Sequence, residues 1–392
     1  MRNRRILATI TASAVIAAIL VAPSIAAGNP KNDCVAVDGD YIVTFTKGAT
    51  VANEIKNENG KQITPKYVYS EALNGFAGFL TGDQVCNLQK RGNVLSVERD
   101  QEFSIQLENQ PSPTWGLDRV DEIPLPLDSI YSYTSEGQGI NVYVIDTGIV
   151  ASHNEFTGRI IPGINFVKDS RGTEDCNGHG THAAGTIAGN KYGVAKKASV
   201  IPVRVLNCRG SGSNSDIIAA INWIIITNES STSVANLSLG GGVSSSLDTA
   251  INSLILDKVN VVVAAGNSSA NACNYSPARV PNAITVAASN SSDDFASFSN
   301  FGSCVDIIAP GVSITSAWIS SRKCSSNCSN TISGTSMAAP HVAGAVARYL
   351  SSSTPSTHTS VAADLQNAST RGAVKNVRSG TFNYLLYISP TK

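Results

Sequence analysis

The chain has 392 residues, with 29 basic and 29 acidic side chains, a formal net charge of zero and 42% hydrophobic residues. That is enough apolar material for two or three domains with a sizeable core. Beyond the N-terminus there is no basic run, which argues against nucleic acid as a partner, and no later apolar run approaches the ~20 residues that a spanning helix needs.

In chain order, Met1-Arg2-Asn3-Arg4-Arg5 leads into an apolar stretch through Ala22 and then into Ser24-Ile25-Ala26. A basic head, a short apolar body and small residues at the cut describe a signal peptide over 1–26, cleaved after Ala26 or Ala27; a retained anchor is the alternative. The expected destination is extracellular. There the eight cysteines read as disulfides whose pairing the sequence leaves open. From Asp40 to about Leu107 the texture is α+β. Residues 41–45 alternate as a strand, 51–59 read as a short helix, 76–80 as a second strand, 81–85 as a capped helix start and 94–98 as a third strand. Gln110-Pro111-Ser112-Pro113 then reads as a loop-like linker.

Further on, apolar strands alternate with helices. Residues 141–146, 201–205, 234–238, 259–263 and 283–286 read as buried strands, and 215–226 and 246–257 as helices between them. The expected fold class is α/β, a doubly wound parallel sheet preceded by the small α+β segment.

Three segments carry candidate chemistry. Asp146 ends an apolar strand, where open α/β sheets place their sites; a turn former or helix cap is the plainer reading. His179 lies in Asn177-Gly178-His179-Gly180-Thr181-His182. His179 and His182, three apart, also have the spacing of metal ligands, but the glutamate of H-E-x-x-H is missing. Ser336 lies in Gly334-Thr335-Ser336-Met337-Ala338-Ala339-Pro340-His341, among residues too small to cover it and beside helix N-terminal N–H groups that favour negative charge. Alternatively, Ser336 is the cap of a buried small-residue helix. Serine needs a neighbouring base. Imidazole titrates near neutral pH and can serve as that base, and a carboxylate can hold the imidazole in the right tautomer. His341 follows a proline on the serine's own helix and reads as a packing residue.

The order Asp, His, Ser is that of subtilisin, not of chymotrypsin or the α/β-hydrolases. With Asn236-Leu237-Ser238-Leu239-Gly240-Gly241-Gly242, Ala264-Ala265-Gly266-Asn267 and Cys273-Asn274-Tyr275-Ser276-Pro277-Ala278, the chain from about Trp115 onward resembles the subtilase family of serine proteases, in its proteinase K-like branch. The α+β segment resembles the inhibitor I9 prodomain of that family. The resemblance implies a prodomain over 30–107 that assists folding, inhibits and is cut off near Leu107–Glu108, and a catalytic domain over 108–392; a permanent N-terminal domain is the alternative. Parallel sheets fold slowly, which gives a templating segment a physical rationale.

The resemblance also assigns roles. Asp146, His179 and Ser336 would form the catalytic triad. Asn267, otherwise a turn asparagine that begins a glycosylation sequon, would donate to the oxyanion beside the backbone N–H of Ser336. Leu239-Gly240-Gly241 and Ala264-Ala265-Gly266 would wall a roomy apolar S1 pocket. Gly210-Ser211-Gly212 would pair with an extended substrate, giving broad specificity with an apolar or aromatic P1. The implied bridges are Cys176–Cys208 and Cys273–Cys304; Cys324 and Cys328 could close a small loop, and Cys34 and Cys86 could pair in the prodomain. Structural Ca²⁺ would sit on Asp306 with the carbonyls of Pro281 and Ala283, and a second ion on Asp118 and Asp121, where Glu122 replaces the usual glutamine; surface solvation or capping is the plainer role for these acids. The expected protein is a monomeric endopeptidase acting on polypeptides, with no membrane association once its signal is removed. Its rivals are a catalytically dead scaffold on the same fold and a narrow processing enzyme, for which the Gly/Ala walls offer no carboxylate.

Overall fold

The structure, a computed structural model, describes residues 34–55, 63–101, 107–229, 232–319, 326–352 and 358–390. The expected signal peptide lies outside the described residues, as does Cys324. Contacts divide the chain into two compact units, 1–104 and 105–392.

The first unit runs β1 (Gly39–Phe45), α1 (Val51–Glu54), β2 (Tyr67–Tyr69), β3 (Gly75–Leu80), α2 (Gly82–Gln89) and β4 (Val94–Arg99). Its antiparallel sheet has the order β2-β3-β1-β4. The α1 helix ends at Glu54, and the rest of the helix expected over 51–59 falls largely outside the described residues. Strand β2 was not anticipated, because Tyr67–Tyr69 is short and half-exposed and carries no alternation to read. α2 starts where its capping box requires: Thr81 accepts from Gln84 N–H, and the Gln84 side chain accepts from Thr81 N–H. The core of this unit is Tyr41, Val43, Phe45, Phe76, Leu80, Val85 and Leu88, and a Cys34–Cys86 disulfide ties the segment before β1 to α2.

The second unit begins with β5 (Glu108–Pro111), α3 (Trp115–Arg119), β6 (Ile130–Tyr133), β7 (Asn141–Asp146), β8 (Ile164–Asn165), α4 (His179–Ala188), β9 (Ser199–Arg204) and α5 (Asn214–Thr227). It continues with β10 (Ser233–Leu237), α6 (Ser245–Leu256), β11 (Val259–Ala264), β12 (Ile284–Ser289), β13 (Ile307–Pro310), β14 (Ile314–Ala317) and β15 (Ser329–Ile332). Last come α7 (Thr335–Ser352), α8 (His358–Ala368), β16 (Thr370–Arg371) and β17 (Tyr384–Leu385). The expected linker at Gln110 and Pro111 is instead strand β5, paired antiparallel with β6. Proline is tolerated because this is the end of a two-stranded ribbon, where its missing N–H breaks no ladder.

Nine strands form the main sheet in the order β16-β17-β13-β12-β11-β10-β7-β9-β8, parallel throughout except for the terminal β16–β17 pair. Strands β10, β11 and β12 are buried along their whole length, which is why they read as unbroken apolar runs. One face packs under α4 and α7, around Val142, Val144, Val262 and Val342; the other packs under α5 and α6, around Ile145, Val203, Leu237 and Ile251. The sheet is therefore doubly wound. After β7 the chain proceeds to β8 and β9 on one side, then crosses to β10 on the other, so the C-terminal end of β7 is a switch point where a crevice opens.

Candidate active site

Asp146 is the last residue of β7 and is fully buried. His179 is the first residue of α4, and its Nδ1 lies 2.8 and 2.9 Å from the two Asp146 carboxylate oxygens. Burial pulls the imidazole pKa down, but the Asp146 charge and hydrogen bond, with the Asp175 charge behind them, more than reverse this, and the net shift is upward from 6.5.

The entry into α4 is built for this contact. Gly178, its N-cap, has φ 109°, and a Cβ there would lie 2.4 Å from the Trp318 ring, so neither the backbone nor the space admits a side chain. Asp175 braces the site: one of its oxygens accepts from Thr147 Oγ1 and from the N–H groups of Asn177 and Gly178, all at 2.9 Å. The other accepts from Thr181 N–H and Oγ1 at 2.9 and 2.6 Å. Thr147 Oγ1 in turn accepts from Gly180 N–H at 2.9 Å. The residue after Asp146 and the first turn of α4 are thus tied to one carboxylate, which fixes where Asp146 and His179 meet.

Ser336 is the second residue of α7 rather than its cap. Pro340, four residues on, supplies no N–H, so it leaves the Ser336 carbonyl without its helical partner. Ser238 Oγ donates to that carbonyl at 2.9 Å, Ser336 Oγ donates to the Ser238 carbonyl at 2.9 Å, and Asn236 Nδ2 donates to Ser238 Oγ at 2.9 Å. The reciprocal pair clamps the start of α7 to the chain just beyond β10. In this arrangement the Ser336 hydroxyl bonds Ser238, not His179.

Asn267 follows β11. Its Oδ1 accepts from Thr335 N–H at 2.8 Å and from Thr335 Oγ1 at 2.9 Å, while Thr335 Oγ1 accepts from Gly266 N–H at 3.0 Å. With Oδ1 so occupied, the amide's donor end has no partner among the described residues. A methyl placed on Gly334 would lie 3.4 Å from Asn267 Nδ2 and 3.6 Å from Ser336 N. Two N–H donors therefore border one small space beside Ser336 that glycine keeps open.

Two cavities adjoin here, sharing Leu239, Gly240, Gly241 and Ser276. One, of about 530 Å³, is lined by His179, Leu206, Arg209, Gly210, Ser211, Gly212, Ile217 and Leu247. The other, of about 390 Å³, is lined by Gly242, Ala264, Ala265, Gly266, Asn267, Tyr275, Thr335 and Ser336, with no charged side chain. Gly210-Ser211-Gly212 is open chain rather than a regular strand. The Gly266 loop, at φ 101°, is held by Asn300, whose Oδ1 accepts from Ser268 and Ala270 N–H and whose Nδ2 donates to the Ala265 carbonyl.

The other histidines point elsewhere. His182 Nε2 bonds the Ile314 carbonyl at 3.0 Å and His341 Nδ1 the Met337 carbonyl at 2.9 Å; burial pushes both down to about 4. His179 and His182 therefore face different partners rather than a shared ion. Bridges join Cys176 to Cys208 and Cys273 to Cys304; Cys328 is also disulfide-bonded.

The acids expected to bind calcium are buried or half-buried rather than solvated, whereas Pro281, an expected carbonyl ligand, is exposed. Asp118 and Asp121 are 5% and 7% exposed, and each holds one buried carboxylate oxygen without a partner among the described residues. Burial raises Asp118 to about 6, helped by Asp128, and raises Asp121 to about 7, helped by Glu122. Asp306 is raised by burial to about 6, although one of its oxygens accepts from Thr285 N–H. Pro281 and Ala283 lie in the turn before β12. Among the described residues no three acidic, histidine or cysteine side chains form a cluster that could hold a metal ion, so backbone carbonyls would have to complete either site. Partnerless buried oxygens with raised pKa values are what a hard cation relieves.

Thr335, Ser238, Thr147, Asp175 and Asn300 are the residues for which sequence reasoning assigned no role. Of these, Thr335 and Ser238 stand inside segments that the sequence singles out, Gly334–His341 and Asn236–Gly242.

Residues 137–382 match the model of the Subtilase family and residues 40–106 that of Peptidase inhibitor I9. The chain is similar to an extracellular serine proteinase of Thermus sp. strain Rt41A, with 51% identity over 82% of this chain and 77% of that one. It is also similar to the alkaline serine exoprotease A of Vibrio alginolyticus, with 42% identity over 91% of this chain and 68% of the relative. A solved cold-adapted subtilisin-like serine proteinase superposes with TM-score 0.67 at 49% identity, covering 71% of this chain and 98% of that one.

Proposed function

The chain belongs to the subtilase family and is a serine-type endopeptidase with an I9 prodomain, and from that premise we propose that Ser336, His179, Asp146 and Asn267 perform its chemistry. The observation that carries this reading is the His179 imidazole held by both oxygens of a fully buried carboxylate, at a cleft that also exposes a serine beside two N–H donors. When a peptide enters, the Ser336 hydroxyl leaves the Ser238 carbonyl and turns toward His179 Nε2. The imidazole takes its proton as Oγ bonds to the scissile carbonyl carbon, and the carbonyl oxygen becomes an oxyanion. Asn267 Nδ2 and Ser336 N–H stabilise that oxyanion. Asp146 accepts from Nδ1–H and stabilises the imidazolium. His179 then returns the proton to the leaving amine, and water repeats the sequence on the acyl-enzyme.

The uncharged cavity walled by Leu239, Gly240, Gly241, Ala264, Ala265 and Gly266 suits apolar or aromatic P1 side chains, and backbone pairing along Gly210-Ser211-Gly212 suits broad specificity. The I9 unit acts as an inhibitory propeptide, removed by the enzyme itself near Leu107–Glu108. Secretion fits the name of the Thermus relative, which is called extracellular. Calcium, when bound, neutralises buried carboxylates: Asp118 and Asp121 would hold one ion, Asp306 with the Pro281 and Ala283 carbonyls another, and both would brace loops rather than take part in the reaction.

The full chain and its Ser336→Ala variant test this. Wild type should shed its N-terminal unit, digest casein and prefer Phe over Lys or Asp at P1 in a peptide panel. The variant should stay full-length, and its self-maturation in a protease-free system would overturn the reading.

A further inference from the structure

Arg209 lines the larger cavity beside His179 and is the one permanently charged side chain among the residues lining either cavity. It is exposed, and among the described residues its guanidinium has no ion-pair partner. Its backbone, by contrast, is held on every side. Cys208 is bridged to Cys176, three residues before His179, and Asn177 Nδ2 donates to the Cys208 carbonyl at 3.0 Å. Asn207 closes the turn: its Oδ1 accepts from Arg209 N–H at 2.8 Å, and its carbonyl accepts from Gly210 N–H at 2.8 Å. A fixed backbone thus presents a cation with no internal partner to the cleft.

We propose that Arg209 is a specificity-determining residue that makes this cleft favour an acidic side chain at P2, the second residue before the scissile bond. The inference rests on the endopeptidase reading above, with substrate paired along Gly210-Ser211-Gly212. Gly210 is the end of that segment nearest the His179 loop, since a Cβ on it would lie 3.7 Å from Asn177 Nδ2. Arg209, one residue earlier, therefore faces substrate close to the cut rather than far upstream. A carboxylate there gains a partner that an isosteric amide lacks. The pair stays wet, so its effect is modest and screened by salt.

The test is kcat/KM of the matured enzyme on peptides with an apolar P1 and either Glu or Gln at P2, P3 or P4. The Glu/Gln ratio at P2 should be about two- to fivefold at low salt and approach one in about 0.5 M salt, where screening is nearly complete at contact range. R209Q should abolish the preference and R209E should invert it. Each ratio is internal to one protein, so partial misfolding of a variant does not affect it. Equal ratios in wild type and R209Q at low salt would overturn the role of Arg209, and a preference confined to P3 or P4 would overturn its placement. Failure to cut any peptide of the panel would instead overturn the endopeptidase reading on which it rests.

Discussion

Replacing Thr335 with valine keeps the shape of a fully buried side chain and deletes one hydroxyl. That hydroxyl accepts from Gly266 N–H at 3.0 Å and donates to Asn267 Oδ1 at 2.9 Å. Two losses follow. Gly266 N–H loses its partner, but Gly266 is only half-buried and water can reach it, so the stability cost should be near 1 kcal/mol, the low end for an orphaned donor. For a unit of this size that corresponds to a fall in Tm of roughly 2–4 °C. Meanwhile Asn267 keeps its bond from Thr335 N–H at 2.8 Å but loses the second anchor of its amide. Removing the oxyanion asparagine outright costs about a hundred- to a thousandfold in kcat in subtilisin, and that is the ceiling for a residue acting only through it. With one of two anchors left, kcat should fall roughly tenfold while KM barely moves, because the oxyanion forms only in the transition state. The assay is steady-state hydrolysis of a peptide anilide by wild type, Thr335→Val, Asn267→Gly and the double variant. If Thr335 works through Asn267, its removal should cost little once Asn267 is gone. Full additivity of the two losses would refute the reasoning, as would a loss appearing in KM alone.

Because only neutral imidazole can accept the serine proton and the His179 pKa is raised, the acid limb of kcat/KM should lie above the ordinary imidazole value of 6.5; Asp146→Asn should lower kcat by about ten-thousandfold and move the limb to lower pH, and an unmoved limb would contradict the pairing. In the inactive Ser336→Ala background, Ser238→Ala should cost about 1–3 kcal/mol in urea unfolding, because it orphans the carbonyl of residue 336. Pro340→Ala restores an N–H for that carbonyl and should blunt the loss; an undiminished cost would mean the Ser238 hydroxyl serves something else. Asp121, raised from 3.8 to about 7, binds a proton more readily when folded. In chelator, stability should therefore fall as pH rises from about 4 to 7 and level off above. Added Ca²⁺ should raise Tm more at pH 8 than at pH 5, as read by scanning calorimetry, and equal gains would argue against these acids as ligands. In the N-terminal unit, the Cys34–Cys86 bridge spans 52 residues and should contribute about 4 kcal/mol by restricting the unfolded chain. A Cys34→Ser/Cys86→Ser pair in the full-length Ser336→Ala chain should sharply speed amide exchange in α2 and β1, and unchanged exchange would assign the bridge no stabilising role.

Local chemistry carried far in this chain. Short apolar runs rich in β-branched residues and separated by helical periodicity fit strands covered on both faces, so the parallel doubly wound sheet was legible before any contact was known, and Thr81 with Gln84 announced the start of α2. Asp146, His179 and Ser336 stood out as candidates for a different reason: each proposed chemical role needs a particular residue type in a cramped setting, and small neighbours mark such settings along the chain. What stayed hidden depends on partners distant in sequence. Gln110–Pro113 looks like a linker because the strand that pairs with its first two residues, Ile130–Tyr133, lies beyond a helix and an irregular stretch. Ser238 looks like one more strand-end serine until Pro340, about a hundred residues on, leaves the Ser336 carbonyl for it to satisfy. Thr335 and Asn267, 68 apart, share bonds that no periodicity encodes. The sequence by itself therefore determined the layers of the fold and marked the candidate reacting groups, because burial and reactivity are properties of residue types. Only the tertiary structure decided how those groups are held, because an orphaned carbonyl, a braced amide or an unpaired arginine exists only in relation to what the folded chain brings beside it.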